Sequence, residues 1–364
     1  MTPLPLTRGD RIAILTSGGD APGMNAALRG AARVAAELGI DLVGVEDGYV
    51  GLLADQFVPL NVREIDEAAR RGGTFLGTAR SRVFPTPEGQ AKARAIIQKR
   101  GLAGLIVVGG NGSLAGARSL LGTEGTRGTL RIGGIPASID NDLGCTSMSI
   151  GVDTAMNTIV EACDRLCDTA TAHRRTFVVE VMGRDCGYLA MTAGIAAGAD
   201  AVLVPELDRT DEEVIAQIKG IVERSYASGR RRVLVLKAEG VKISTQTLKD
   251  AIDAHVSKTS PDIDSRVTVL GHVVRGGTPS AFDRLLGARL ANVVVRALFA
   301  GESDFMAGWL GPGMALPSCA FDPYVVLAPI PMVLTETEKL HRGETLIAAW
   351  RKKIYREVES VLDR

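Results

Sequence analysis

Lysine is scarce in this sequence. Ten lysines stand against thirty-two arginines, with none before Lys92 and none between Lys99 and Lys219. Any anion site in those stretches must therefore use arginine or backbone amides. Cysteine is sparse too: residues 145, 163, 167, 186 and 319 form no CxxC pair and are odd in number. That argues against a zinc site or a disulfide framework and fits a reducing compartment, with the thiols as core residues. The opening "MTPLPLTRGD" has no apolar stretch of signal length, and no run reaches the roughly 18 apolar residues of a membrane span, so the chain reads as cytoplasmic with no membrane partner. Net charge is missing as well. Lys+Arg and Asp+Glu are 42 each, so no global field draws the chain to nucleic acid, and small-molecule chemistry is favoured.

What is present is a globular composition of 46% apolar and 23% charged residues with 42 glycines over 364 positions, enough for one large or two intimate domains. Short apolar runs recur at 11–17, 40–45, 104–110, 131–136, 176–181, 200–205, 231–236 and 266–271. Between them, apolar residues at three- and four-residue spacing predict helices over Met24–Leu38, Pro87–Lys99, Asp153–Asp168, Asp211–Ser225 and Ala281–Ala300. Near-continuous apolar strands alternating with helices indicate an α/β class. Its parallel sheets are covered on both faces, with ligands outside the carboxyl ends of the strands. Thr335–Arg364 has a charged amphipathic helix pattern.

Four glycine-rich turns are expected after strands: "SGGDAPGMN" (17–25), "GGTFLGTARS" (72–81), "GGNGSLAG" (109–116) and "VMGRDCG" (181–187). The first and third have the strand–glycine–helix order whose amides and helix dipole bind phosphate. Any one of them is equally explained as a tight turn, but several together favour a polyphosphate ligand. The pattern GxxxxGK[ST] is absent, because Gly18 to Gly23 is followed by Met24. Gly110-x-Gly112-x-x-Ala115 satisfies a relaxed dinucleotide fingerprint, which keeps an NAD-dependent dehydrogenase as a rival. The acidic residue that fold needs about 20 residues on is missing from "TRGTLRIGG".

"PASIDNDLG" (136–144) sets Asp140 and Asp142 just past a strand, where alternation would aim both carboxylates the same way. Turn chemistry explains many such runs. Beside a polyphosphate loop, one carboxylate can accept a proton from an attacking hydroxyl while the other helps hold Mg²⁺. Arg80, Arg175, Arg184, Arg266 and Arg275 sit beside glycines or at strand ends, where guanidinium groups could clamp phosphates. Singly, each reads as a surface ion pair. His272 could donate to a phosphate or satisfy a core hydrogen bond.

Together these motifs resemble the 6-phosphofructokinase family, from about Arg11 to about Arg289. "ILTSGGDAPGMNAALRG", "GGTFLGTARS", "SIDND", "FVVEVMGRDCGYLA" and "VLGHVVRGG" match it in order and approximate spacing. The resemblance implies two three-layer α/β/α domains with mostly parallel sheets. Residues 1–150 plus 265–310 would bind nucleotide, and 151–264 plus 311–364 would bind the sugar phosphate. The implied reaction moves the ATP γ-phosphoryl group to the 1-hydroxyl of fructose 6-phosphate in glycolysis, with Mg²⁺ as cofactor. The implied assembly is a homotetramer whose active sites are shared between subunits.

Carried onto this sequence, Asp140 resembles the base, Asp142 the group orienting the metal, and Arg184 the arginine that stabilises the moving phosphoryl. Gly19, Arg80, Ser81, Gly110, Asn111, Gly112 and Ser113 match nucleotide-binding positions, and Gly19 stands with the catalytic groups as well. Ser138, Ile139, Met182, Gly183, Glu239, His272 and Arg275 match sugar-phosphate contacts. Arg175 and Arg266 match two arginines that reach the 6-phosphate from a neighbouring subunit.

Pyrophosphate-using relatives put aspartate at the position of Gly112 and lysine at that of Ala137, filling the space of the ATP α-phosphate. Here both residues are small and neutral, so the resemblance implies ATP, with a pyrophosphate-dependent phosphotransferase as the alternative. Asn111 replaces the aspartate of the family's loop, which removes a negative charge from the expected metal site and leaves a non-catalytic regulatory paralogue as a further reading. Arg29 and Arg33 match the bacterial effector site, but Val62 and Cys167 stand where effector-binding arginines would be.

Overall fold

The computed structural model describes residues 5–122, 129–259, 262–311 and 316–362. The strands are β1 (Arg11–Ser17), β2 (Asp41–Val45), β3 (Phe57–Pro59), β4 (Leu102–Gly109), β5 (Arg131–Pro136), β6 (Arg175–Val181), β7 (Ala201–Leu203), β8 (Val233–Ala238), β9 (Asp264–Val269), β10 (Phe305–Trp309) and β11 (Val325–Pro329). The helices are α1 (Met24–Leu38), α2 (Gly48–Leu53), α3 (Val62–Ala68), α4 (Pro87–Lys99), α5 (Asn111–Arg118), α6 (Val152–His173), α7 (Tyr188–Ala196), α8 (Asp211–Ala227), α9 (Thr245–Thr259), α10 (Ala281–Phe299), α11 (Ile330–His341) and α12 (Leu346–Leu362).

The chain divides into two compact units. The first takes the chain up to Ile139, Leu143–Thr154 and Arg275–Glu338; the second takes Asp140–Asp142, Ala155–Val274 and Lys339–Arg364. In the first, seven strands run in the order β11-β10-β5-β4-β1-β2-β3. The inner pairs are parallel, while β3 on β2 and β11 on β10 are antiparallel edges. Central strands read as unbroken apolar runs because both faces are covered, and β1 is buried from its second residue onward. Leu15, Leu105, Val107, Leu114, Ile132 and Met306 belong to the core of this unit. In the second unit four strands, β7-β8-β6-β9, are all parallel, and Val178, Val235, Ile218 and Leu248 share its core.

Local chemistry fixes the helix ends. Thr86 caps α4 by accepting from the Gly89 N–H, with Pro87 at the first turn, where its missing N–H costs nothing. Thr210 and Glu213 form a reciprocal capping box at α8.

Several expectations change. The second unit keeps β9, because it pairs with β6, so the crossing at 265 moves to Arg275. The first unit keeps 316–338, because β11 pairs with β10, so the crossing at 311 moves to Lys339. "GGTFLGTARS" follows a helix, α3, and not a strand. The 200–205 run gives only Ala201–Leu203 as strand, with a 3₁₀ turn from Pro205. The tail is two helices, α11 and α12, parted at Gly343 in the left-handed region; residues 363 and 364 lie outside the described residues.

Candidate active site

The first unit carries a cleft of about 640 Å³ at the carboxyl ends of β1 and β4. Gly19, Arg80, Ser81, Gly110, Gly112 and Ser113, all expected for the nucleotide, line it, and so do Ala137, Ser138 and Arg275. Gly110 caps α5, whose first amides open toward the cleft without a side-chain cap. A Cβ on Gly112 would meet nothing within 4 Å, so the protein's own packing does not demand glycine there. At Gly19 a Cβ would lie 2.6 Å from Arg275 Nη1, the mobile end of a side chain, which donates to the Asp20 carbonyl at 3.3 Å. Arg275, matched to the sugar contacts, is thus placed against the first glycine turn. Arg80 is exposed and has no ion-pair partner among the described residues.

One wall of this cleft was missed in the sequence. Tyr49 and Phe84 stack with centroids 3.9 Å apart, and the Tyr49 hydroxyl donates to the Ser113 carbonyl at 2.6 Å. Burial pushes the Tyr49 phenol up, so it stays a neutral donor that ties the stack to α5. No short motif marks either residue, because the stack joins α2 to the loop before α4.

Asn111 does not line the cleft, yet its Oδ1 is buried without a hydrogen-bond partner. A buried amide oxygen left unsatisfied can ligate a cation or accept a hydrogen bond from a cation's water. Among the described residues no group of three His, Cys, Asp or Glu side chains could hold a metal by itself. The donor set fits Mg²⁺ carried on substrate phosphates, since that ion keeps several waters and takes only one or two protein carboxylates.

Met182, Gly183, Arg184, Glu239 and His272 follow the carboxyl ends of β6, β8 and β9 in the second unit. Gly183 has φ 130, a conformation glycine alone adopts without strain, and the Glu239 N–H bonds the Val181 carbonyl at 2.9 Å. Arg184, Glu239 and His272 are exposed, which removes the core hydrogen-bond reading of His272. Arg184 has no ion-pair partner among the described residues. Asp140 and Asp142 lie in a turn in which Asn141 has φ 51. Strand alternation does not extend through that left-handed residue, so the expectation that it aims both carboxylates alike is withdrawn.

Arg175 and Arg266 are elsewhere. They stand near the amino ends of β6 and β9 and share one carboxylate, Asp264, with Arg175 Nε 3.4 Å from it. Six residue steps along the strand separate Arg175 from Val181, or roughly 20 Å at about 3.3 Å per step, so these two arginines do not reach their own chain's Arg184. In the first unit, Arg29 and Arg33 both pair with Asp66, at 2.6 Å each, and hold its carboxyl below the usual range.

The second unit also has a cavity of about 750 Å³, lined by Asp142 and Arg184 together with His341, Arg342, Arg351 and Lys352 from the tail. His341 Nε2 lies 3.6 Å from Asp142 Oδ2, and pairing with that carboxylate holds the imidazole above its ordinary range. The tail's amphipathic pattern gave no sign of this contact.

A family model described as Phosphofructokinase matches residues 11–298. ATP-dependent 6-phosphofructokinase of Natranaerobius thermophilus is 46% identical over 298 residues, covering 82% of this chain and 89% of that protein. ATP-dependent 6-phosphofructokinase 1 of Thermus thermophilus is 44% identical over 299 residues, with the same two coverages. The structure of phosphofructokinase from Saccharomyces cerevisiae superposes with a TM-score of 0.81 at 32% identity, over 93% of this chain. This chain spans only 48% of that yeast chain.

Proposed function

The chain belongs to the phosphofructokinase family, and from that premise we propose that it transfers the ATP γ-phosphoryl group to the 1-hydroxyl of fructose 6-phosphate. In the transfer a bond forms between the sugar O1 and the γ-phosphorus, and the bond from that phosphorus to the β-bridging oxygen breaks. The hydroxyl proton passes to Asp140. The products are ADP and fructose 1,6-bisphosphate.

The residues divide the work by charge. Amides at Gly19 and at the start of α5 receive the nucleotide phosphates, since a helix N-terminus favours negative charge. Arg80, unpaired among the described residues, adds a guanidinium to the same cleft. Arg184 offers an unneutralised cation to the equatorial oxygens as charge spreads in the transition state. Asn111 and Asp142 would hold Mg²⁺ or its waters; when bound, the ion neutralises charge on the phosphates. Met182, Gly183, Glu239 and His272 orient the sugar.

Gly112 carries the choice of donor. Its open face, beside the small Ala137, leaves room for an α-phosphate, where pyrophosphate-using relatives place a carboxylate and an ammonium. Arg175 and Arg266 serve the sugar phosphate of a neighbouring copy, which makes a homotetramer with shared sites the working assembly. The reaction's place is glycolysis in the cytoplasm; no helix among the described residues is long and apolar enough to cross a membrane.

The test is purified protein with fructose 6-phosphate and Mg²⁺, offered ATP, other nucleotides and pyrophosphate in turn. Turnover with ATP is expected. Product with pyrophosphate alone would overturn the donor, and no product with any donor would overturn the kinase.

A further inference from the structure

We propose that Arg351, on the C-terminal helix α12, is a positioning residue for phosphoryl transfer: it holds the Asp140–Asp142 turn in place through the Asn141 carbonyl. The inference rests on the reading of Asp140 as the base. Asn141 sits between the two carboxylates at φ 51 and is only 2% exposed. Asparagine tolerates the left-handed region, and a hydrogen bond to its carbonyl helps to fix the turn that carries both carboxylates.

Arg351 supplies that bond. Its Nη2 donates to the Asn141 carbonyl at 3.0 Å, and its Nη1 lies 3.3 Å from Cys186 Sγ. The guanidinium carbon lies 4.8 Å from the centroid of the Tyr188 ring, and the residue is 7% exposed. Burial pushes the Cys186 thiol up to about 12, so it remains a neutral, weak acceptor and leaves the carbonyl as the stronger partner. Lysine at this place would keep one donor and lose the planar face and the second arm.

The helix that carries Arg351 has a separate anchor further along. Both arms of Arg209 pair with the Glu359 carboxylate, Nη2 to Oε2 at 2.7 Å. Docking of α12 and control of the turn can therefore be separated by mutation. Arg351 acts through Asn141, and its effect belongs in kcat, because misplacement of a catalytic group by about 1 Å costs about 10²-fold.

The experiment compares Arg351→Met, Arg351→Lys and Glu359→Gln in the full chain, assayed with ATP and fructose 6-phosphate. Arg351→Met is expected to lower kcat about 10²-fold with both KM values within about threefold, and Arg351→Lys to lower it about tenfold. Glu359→Gln keeps kcat near wild type. On an Asp140→Ala background, Arg351→Met adds little further loss, because the two residues act as one unit. Wild-type kcat in a folded Arg351→Met, an equal fall in Glu359→Gln, or full additivity with Asp140→Ala would each overturn the proposal. Should Arg351→Met not fold, Arg351→Lys carries the test, and unchanged kcat there overturns it. A wild-type chain silent with every donor would overturn the kinase reading itself, an outcome distinct from these.

Discussion

At Gly112 a single hydrogen atom separates two donors. A Cβ there meets nothing of the protein, so Gly112→Asp keeps the fold: a carboxylate in the first turn of α5 suits the helix dipole, and the unfolding free energy stays within about 0.5 kcal/mol. The same carboxylate faces phosphates, and like charges about 4 Å apart repel by about 1–4 kcal/mol over the range of effective dielectrics, so KM for ATP rises at least about fivefold. Steady-state kinetics with ATP and a thermal melt check both halves. For Asp140→Ala, kcat falls at least about 10²-fold while fructose 6-phosphate still binds, read by turnover and by calorimetric titration. Near wild-type turnover would remove Asp140 from its role as base. Most of the cleft's glycines and Arg80 were legible in the sequence, because a glycine after an apolar run is a local signal. Tyr49 and Phe84 were not, since nothing in the chain near either residue announces a partner brought together only by folding.

At the scale of elements, most of the long periodic segments were legible, although the 15-residue helix α9 was not expected. Met24–Leu38 and Pro87–Lys99 form helices with those very bounds. The missed strands, β3, β10 and β11, are three to five residues long. Shortness alone does not account for the misses, since β2 and β7 are as short and were expected within apolar runs. The tail's single charged pattern hid a break at Gly343, and with it the contacts of His341 and Arg351. One junction between elements stands out. Asp283, fully buried in the first turn of α10, accepts from the Gly151 and Thr154 N–H groups at 2.8 Å each and from the Thr154 hydroxyl. Asp283→Ala strands three buried donors and is expected to cost roughly 3–5 kcal/mol of stability, measured by denaturant unfolding.

At the scale of the whole molecule, the position of Arg175 and Arg266 at the far end of β6 and β9 sets a test of shared sites. Chains with Asp140→Ala and chains with Arg175→Ala and Arg266→Ala together are each nearly inactive alone. Co-expressed, they regain roughly a quarter of wild-type activity, because random pairing leaves one intact site in each mixed pair. Activity no greater than the sum of the two parents would show that each chain completes its own site.

The first unit's sheet also sets an order of events during synthesis. Strand β5 pairs on one side with β4, and its other side waits for β10, whose residues leave the ribosome about 170 positions later. Until then β5 is a bare edge of "RIGGIP", apolar after Arg131 and fully buried in the finished protein. A nascent chain stalled before Phe305 would thus present a strand edge open to pairing with a copy of itself.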